Sequence, residues 1–229
     1  SSKSVYFNVV QHSEKIYQDE NYGVLKGSET YSGKCCFLNE GNQNTNMMSS
    51  LFNFDVSDCF GGSPDFAEGY AVGSANANTY VNGLNVKNCY YALTTRNVFD
   101  GFKTYVCNMN AYVKIAGIFI NEQVSNSSAL EIYSSDIRCD GSFNPETSSI
   151  ECIKYGSALC GRSYQTKGVS IYSSKLYGTE KAIYFPYNIS YLTIKDSYIK
   201  GDMVGDIRGG NITFQNNELE FTNTENGIL

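Results

Sequence analysis

The chain has 229 residues, 41% hydrophobic and 17% charged, which suits one domain with a long core and leaves little room for two. Asp and Glu outnumber Lys and Arg by 23 to 17, so the net charge is −6 and the pI near 4.9; without a basic surface to neutralise phosphates, general nucleic-acid binding is excluded. Nineteen Tyr, thirteen Phe, no Trp and three Pro make a composition that favours β-structure.

No run approaches the roughly 18 apolar residues that cross a bilayer, and Ser1-Ser2-Lys3-Ser4 lacks the apolar stretch of a signal peptide, so no membrane insertion is expected. The uncharged end Gly227-Ile228-Leu229 fits a fragment cut from a longer protein. The single histidine, His12, removes multi-histidine metal sites, and a Ser–His or Cys–His nucleophile pair would have to rest on it; it lies in a polar stretch and reads as an exposed bystander. Eight cysteines show no C-x-x-C spacing, so no metal–thiolate site is expected. Cys59 and Cys89 fall in a repeat column that predicts buried free thiols, and Cys139, Cys152 and Cys160 are the best disulfide candidates.

Before Phe54 the pattern is irregular. Val5 to Phe7, Val24-Leu25 and Cys36 to Leu38 each predict one strand, Ser13 to Asn21 a short capping helix, and Asn39 to Ser50 a polar loop. Residues 1–53 are expected to form irregular opening coils or an N-terminal cap. From residue 54 to 229 one grammar recurs seven times. Val56, Val86, Val106, Ile132, Ile171, Ile194 and Phe214 each follow an apolar residue or Thr two positions earlier. Two positions later stands Asp58, Asn88, Asn108, Ser134, Ser173, Asp196 or Asn216, types that tolerate left-handed backbone. A slim residue follows: Cys59, Cys89, Met109, Ser135, Ser174, Ser197 or Asn217, expected to point inward and stack.

Each copy therefore reads as strand, tight bend, strand. The anchors are separated by 30, 20, 26, 39, 23 and 20 residues, and the longest interval is expected to hide one degenerate coil near Ile150 to Ile153. Coils of about 20 residues with insertions predict an all-β, single-stranded parallel β-helix (β-solenoid), right-handed by the crossover preference of parallel strands.

In such a fold the outward columns carry function. They place Tyr133, Tyr172, Tyr177 and Tyr198 on neighbouring coils, with Arg138, Lys175, Lys195 and Lys200 among them. Tyrosines stack on sugar rings while cations and amides bond hydroxyls or carboxylates, so Tyr133, Tyr172, Tyr177, Tyr198 and Lys195 are candidate glycan-binding residues; the alternative is an ordinary β-sheet surface. Glycoside cleavage needs two carboxylates about 5 to 10 Å apart. Glu131 and Asp136, with Arg138 beside them and Asp140, Glu146 and Glu151 in the following insertion, are the candidate catalytic set; ordinary surface acids are the alternative. No cofactor is expected for a hydrolase, whereas a lyase would use Ca2+ held by carboxylates such as Asp136 and Asp140.

The recurring apolar-x-apolar-x-Asx/Ser-small pattern over Phe54 to Leu229 resembles the pectate-lyase-like β-helix superfamily, and its Asn-, Tyr- and Gly-rich texture is similar to the body of bacteriophage tailspike or receptor-binding tail proteins. That resemblance implies a homotrimer in the virion tail that binds, and often cleaves, a bacterial capsule or lipopolysaccharide. A non-catalytic adhesin and a structural segment are the other implied roles. The N-T-D, D-D, G-H-G and R-I-K blocks of secreted polygalacturonases are absent, with Val113-Lys114-Ile115 only a faint echo of the last, so a plant-polymer hydrolase is disfavoured.

Overall fold

Short polar side chains that bond their own main chain tolerate left-handed backbone, and this decides where the strands bend. Asp58, Asn88, Asn108, Ser134, Ser173, Asp196 and Asn216 all have φ between 47° and 61°. The computed structural model describes residues 17–19, 24–26, 35–40, 48–59, 69–99, 101–123, 129–143, 150–162 and 166–223. Within these the protein is all-β, with a single 3-10 turn and strands that are parallel apart from one antiparallel pair.

The strands form three parallel stacks. The first contains β4 (Met48–Phe52), β7 (Asn78–Asn82), β9 (Lys103–Cys107), β11 (Ala129–Tyr133), β14 (Thr166–Tyr172), β17 (Ile189–Lys195) and β20 (Asn211–Gln215). The second contains β2 (Val24–Lys26), β5 (Asp55–Ser57), the first halves of β8 (Asn85–Asn97) and β10 (Asn110–Gln123), then β12 (Asp136–Cys139), β15 (Lys175–Tyr177), β18 (Tyr198–Gly201) and β21 (Glu218–Phe221). The third contains β3 (Cys35–Glu40), β6 (Tyr70–Ala75), the second halves of β8 and β10, β13 (Ser157–Gly161), β16 (Ile183–Phe185) and β19 (Asp206–Ile207). β8 and β10 run unbroken from second stack to third, so these two form one 14-stranded sheet beside a separate seven-stranded one. Each pass of the chain visits the stacks in the same order and lies one strand spacing, 4.7–4.9 Å, beyond the last.

Register makes the core columnar. Leu51, Val81, Val106, Ile132, Ile171, Ile194 and Phe214 pair successively in the first stack. Val56, Val86, Ala111, Ile137, Leu176, Ile199 and Leu219 do so in the second. Phe37, Val72, Leu93, Ile118, Leu159 and Ile183 do so in the third. All are buried except Phe214 and Leu219 in the last pass. The slim column binds the corner between the first two stacks: the hydroxyls of Ser135, Ser174 and Ser197 each donate to the carbonyl two residues back at 2.8 Å and accept the N–H of the preceding pass at 3.1 Å.

Several expectations change. Val56 and Val86 belong to the second stack, one bend beyond the other anchors: the counterparts of Val106 are Leu51 and Val81, with Asn53 and Gly83 (φ 52° and 76°) at the bend. Asn88 bends too, but as the extra residue of a β-bulge, because Tyr112 pairs with Lys87 and Val113 with Cys89. No degenerate coil fills the 39-residue interval. β11 pairs directly with β14 and β12 with β15, while Glu151–Ile153 is the 3-10 turn. Ile150 and Ile153 pack with Tyr91, Phe119, Cys160 and Tyr184, a second apolar cluster on the outside of the third stack.

The expected strand at Val24 is β2 and that at Cys36 to Leu38 lies in β3, whereas Val5 to Phe7 falls outside the described residues. Tyr17–Asp19 within the expected capping helix is β1, antiparallel to β2, and the expected polar loop ends in β4. Cys89 is a free, buried thiol, as its column predicts, and Cys59 is buried beside it. Cys139 and Cys160 do not pair with each other, since Cys139 faces the main core and Cys160 the outer cluster; the side chain of Cys152 lies outside those described.

Candidate functional site

Alternation along each strand sends every second side chain outward, so the first and second stacks each present a face. The Ser134 bend divides the candidate acids between them. Glu131 lies on β11, where its carboxylate accepts the Tyr133 hydroxyl at 2.6 Å. Asp136 lies on β12 and holds Arg138 through two bonds, at 2.8 and 2.9 Å. Asp140 follows at the end of the same strand, accepts the Ser142 N–H at 2.8 Å, and its negative charge raises the Tyr112 phenol. The structure thus brings Asp136, Arg138 and Asp140 to one face and Glu131 to another. Glu146 lies outside the described residues, and Glu151 accepts the Tyr184 hydroxyl at 2.7 Å on the third stack. Among the described residues no three His, Cys, Asp or Glu side chains converge.

The candidate binding residues divide likewise. Tyr133, Tyr172 and Lys195 stand in one outward column of the first face, in register with Asn82 and Cys107. The rings of Tyr133 and Tyr172 stack on each other, with centroids 5.1 Å apart and planes at 14°. In-register parallel strands place the rings in this contact, which covers one face of each.

Tyr177 and Tyr198 are on the second face. There two outward rows run the length of the stack. One reads Ser57, Lys87, Tyr112, Arg138, Tyr177, Lys200, Glu220. The other reads Asp55, Asn85, Asn110, Asp136, Lys175, Tyr198, Glu218. The Arg138 guanidinium lies 4.3 Å from the Tyr177 ring centroid, and Lys200 bonds Glu220 at 2.7 Å. Tyr198 also donates to Glu220; these Lys200 and Tyr198 bonds hold the carboxyl below its ordinary range.

Where the rows meet β5, β8 and β10 they line an open groove of 470 Å³, walled by Asp55, Ser57, Asn85, Lys87, Asn110 and Tyr112 over Val56 and Val86. Asn85 donates to Asp55 at 2.7 Å, fixing the amide, and Tyr112 remains 50% exposed beside it. Amides, a carboxylate, an ammonium and an accessible ring converge here, the groups that bond hydroxyls and cover an apolar sugar face.

Sequence reasoning missed this groove. Matching Val86 to Val106 hides the pairing of Lys87 with Tyr112, which follows only when Val81 is the partner of Val106. Gly83 carried the missing signal, since glycine serves a left-handed bend as well as Asx does. No protein-family model, curated protein or solved structure matches the chain.

Proposed function

We propose that the chain is a right-handed parallel β-helix of the phage-tailspike kind, working as a homotrimer in the virion tail, whose second face binds a bacterial surface polysaccharide. The observation that carries this reading is the groove at Asp55, Asn85, Lys87, Asn110 and Tyr112, continuous with rows of aromatic and charged side chains along the stack. Right-handedness rests on the crossover preference of parallel strands. A repeating polymer suits a repeating surface, because each pass offers the same two outward positions one strand spacing further on.

Binding is favoured over cleavage. Glu131 and Asp136 lie on different faces, and Asp136 and Asp140 stand four residues apart on one extended segment, roughly 13 Å at 3.3 Å per residue, beyond the separation glycosidase carboxylates use. The test is retention of purified bacterial capsules and lipopolysaccharides on the immobilised chain, with new reducing ends followed in parallel. We expect one polymer to be retained, with retention falling at least about tenfold (1.4 kcal/mol) in an Asn85→Ala, Asn110→Ala, Tyr112→Ala variant, and no shortening. Unchanged retention in that variant would displace the groove from the proposal. Shortening abolished by Asp136→Asn or Glu131→Gln would restore a depolymerase.

A further inference from the structure

The row Lys87, Tyr112, Arg138, Tyr177, Lys200 alternates cation and ring over five consecutive passes. Cations therefore recur every second pass, about 9.5 Å apart at the strand spacing of parallel sheets, with a tyrosine midway. In an extended polysaccharide one sugar advances by nearly one strand spacing, so this period matches a disaccharide with one charged and one uncharged sugar. We propose, building on the glycan-binding reading above, that the second face recognises a linear acidic polysaccharide carrying a carboxylate on every second sugar, laid along the stack with its carboxylates at Lys87, Arg138 and Lys200 and the intervening sugars over Tyr112 and Tyr177.

Two of the three cations already hold carboxylates. Arg138 grips Asp136 with both arms of its fork, and Lys200 bonds Glu220. The fork geometry is the one a ligand carboxylate would take. These pairs are solvent-exposed and contribute little, so exchanging an internal carboxylate for an external one costs little. Lys87 is exposed and lines the groove, which makes it the entry point. The internal acids act as stand-ins that ligand displaces, so neutralising one should tighten binding.

The experiment measures affinity of the full chain for hyaluronan and heparosan, which carry a carboxylate on alternate sugars. The comparisons are their carboxyl-reduced forms, polygalacturonate with a carboxylate on every sugar, and neutral dextran. We expect binding of an alternating polymer, weakened about tenfold or more by carboxyl reduction, by Lys87→Gln or by raising salt from 50 to 300 mM, which shortens the screening length. Asp136→Asn should strengthen it severalfold, the opposite of what a catalytic or scaffolding Asp136 predicts. These positions are surface-exposed or partly so, and circular dichroism of each variant controls for folding. Equal affinity for the carboxyl-reduced polymer or dextran would overturn the acidic assignment while leaving the glycan reading intact. Equal or tighter binding of polygalacturonate would overturn the alternating spacing. If neither these polymers nor the capsule panel is retained, both proposals fall.

Discussion

The hydroxyl of Ser174 does two jobs inside the corner. It donates to the Tyr172 carbonyl at 2.8 Å and accepts the Ser135 N–H at 3.1 Å, and it is 2% exposed. Ser174→Ala would leave the buried Ser135 N–H without a partner, while the Tyr172 carbonyl keeps the Ser134 N–H at 3.1 Å, at a cost of about 1–3 kcal/mol. Cys89 shows what a milder change does. Its thiol takes the Cys59 N–H at 3.4 Å and reaches back to the Lys87 carbonyl at 3.6 Å, the same two-way arrangement with a weaker group. Urea denaturation should therefore place Ser174→Cys between wild type and Ser174→Ala. A Ser174→Ala midpoint equal to wild type would mean that the ladder adds nothing to stability. This device could be read in advance only as a size rule. The sequence column is slim at every copy, but Ser, Cys and Asn share no side-chain volume beyond smallness, and their common role appears once the hydrogen bonds are seen.

At the level of elements, the segment around the 3-10 turn is a strap across the outside of the third stack. Tyr184 bonds Glu151 at 2.7 Å, and the Lys181 ammonium sits 4.0 and 3.9 Å from the Tyr155 and Tyr184 ring centroids while pairing with Asp206 at 2.8 Å. Tyr184→Phe keeps the ring that Lys181 covers and removes only the bond to the strap. It should accelerate tryptic cleavage at half-buried Lys154 severalfold and lower global stability by about 1 kcal/mol or less, because the main core is untouched. Cleavage unchanged at Lys154 would show that apolar contact alone holds the strap. The strap marks the limit of pattern reasoning. On the first two faces, buried and open positions alternate, so the parallel strands and their bends were legible from residues such as Ile132, Ile171 and Ile194. The third face buries both sides, with Leu159 inward and Cys160 outward, so alternation vanishes and Ile150 to Ile153 looked like one more pass. The division of Tyr133 from Tyr177 was equally hidden, since a bend that reassigns outward residues to a new face leaves their sequence spacing unchanged.

For the molecule as a whole, stacked passes contact chiefly their neighbours, so stability is close to a sum over adjoining passes and a proton-linked loss in any of them weakens the stack. Three buried or hydrogen-bonded groups with raised values lie in two consecutive passes, Tyr133 and Cys139 in that of β11 to β13 and Tyr184 in the next. Burial pushes the Cys139 thiol up to about 12 from its ordinary value of 9. The bond to Glu131, with burial second, raises the Tyr133 phenol, and burial, with the bond to Glu151 second, raises that of Tyr184. All three hold their protons in the folded chain at a pH where the unfolded chain releases them. The folded state then binds more protons than the unfolded, so stability falls as pH rises, beginning near 9 for the thiol and near 10 for the phenols and continuing towards 12. Each fully titrating group contributes on the order of 1.4 kcal/mol per pH unit, less for the partly exposed Tyr133. Urea midpoints measured from pH 7 to 11 should hold level and then drop above pH 9. Cys139→Val, which places at this position the residue its neighbouring pass already has at Val113, should flatten the first part of that drop; Tyr184→Phe should flatten the later part. A level midpoint through pH 11 would show that these groups ionise in the folded chain as readily as in the unfolded one. Unchanged slopes in both variants would assign the alkaline loss to other groups.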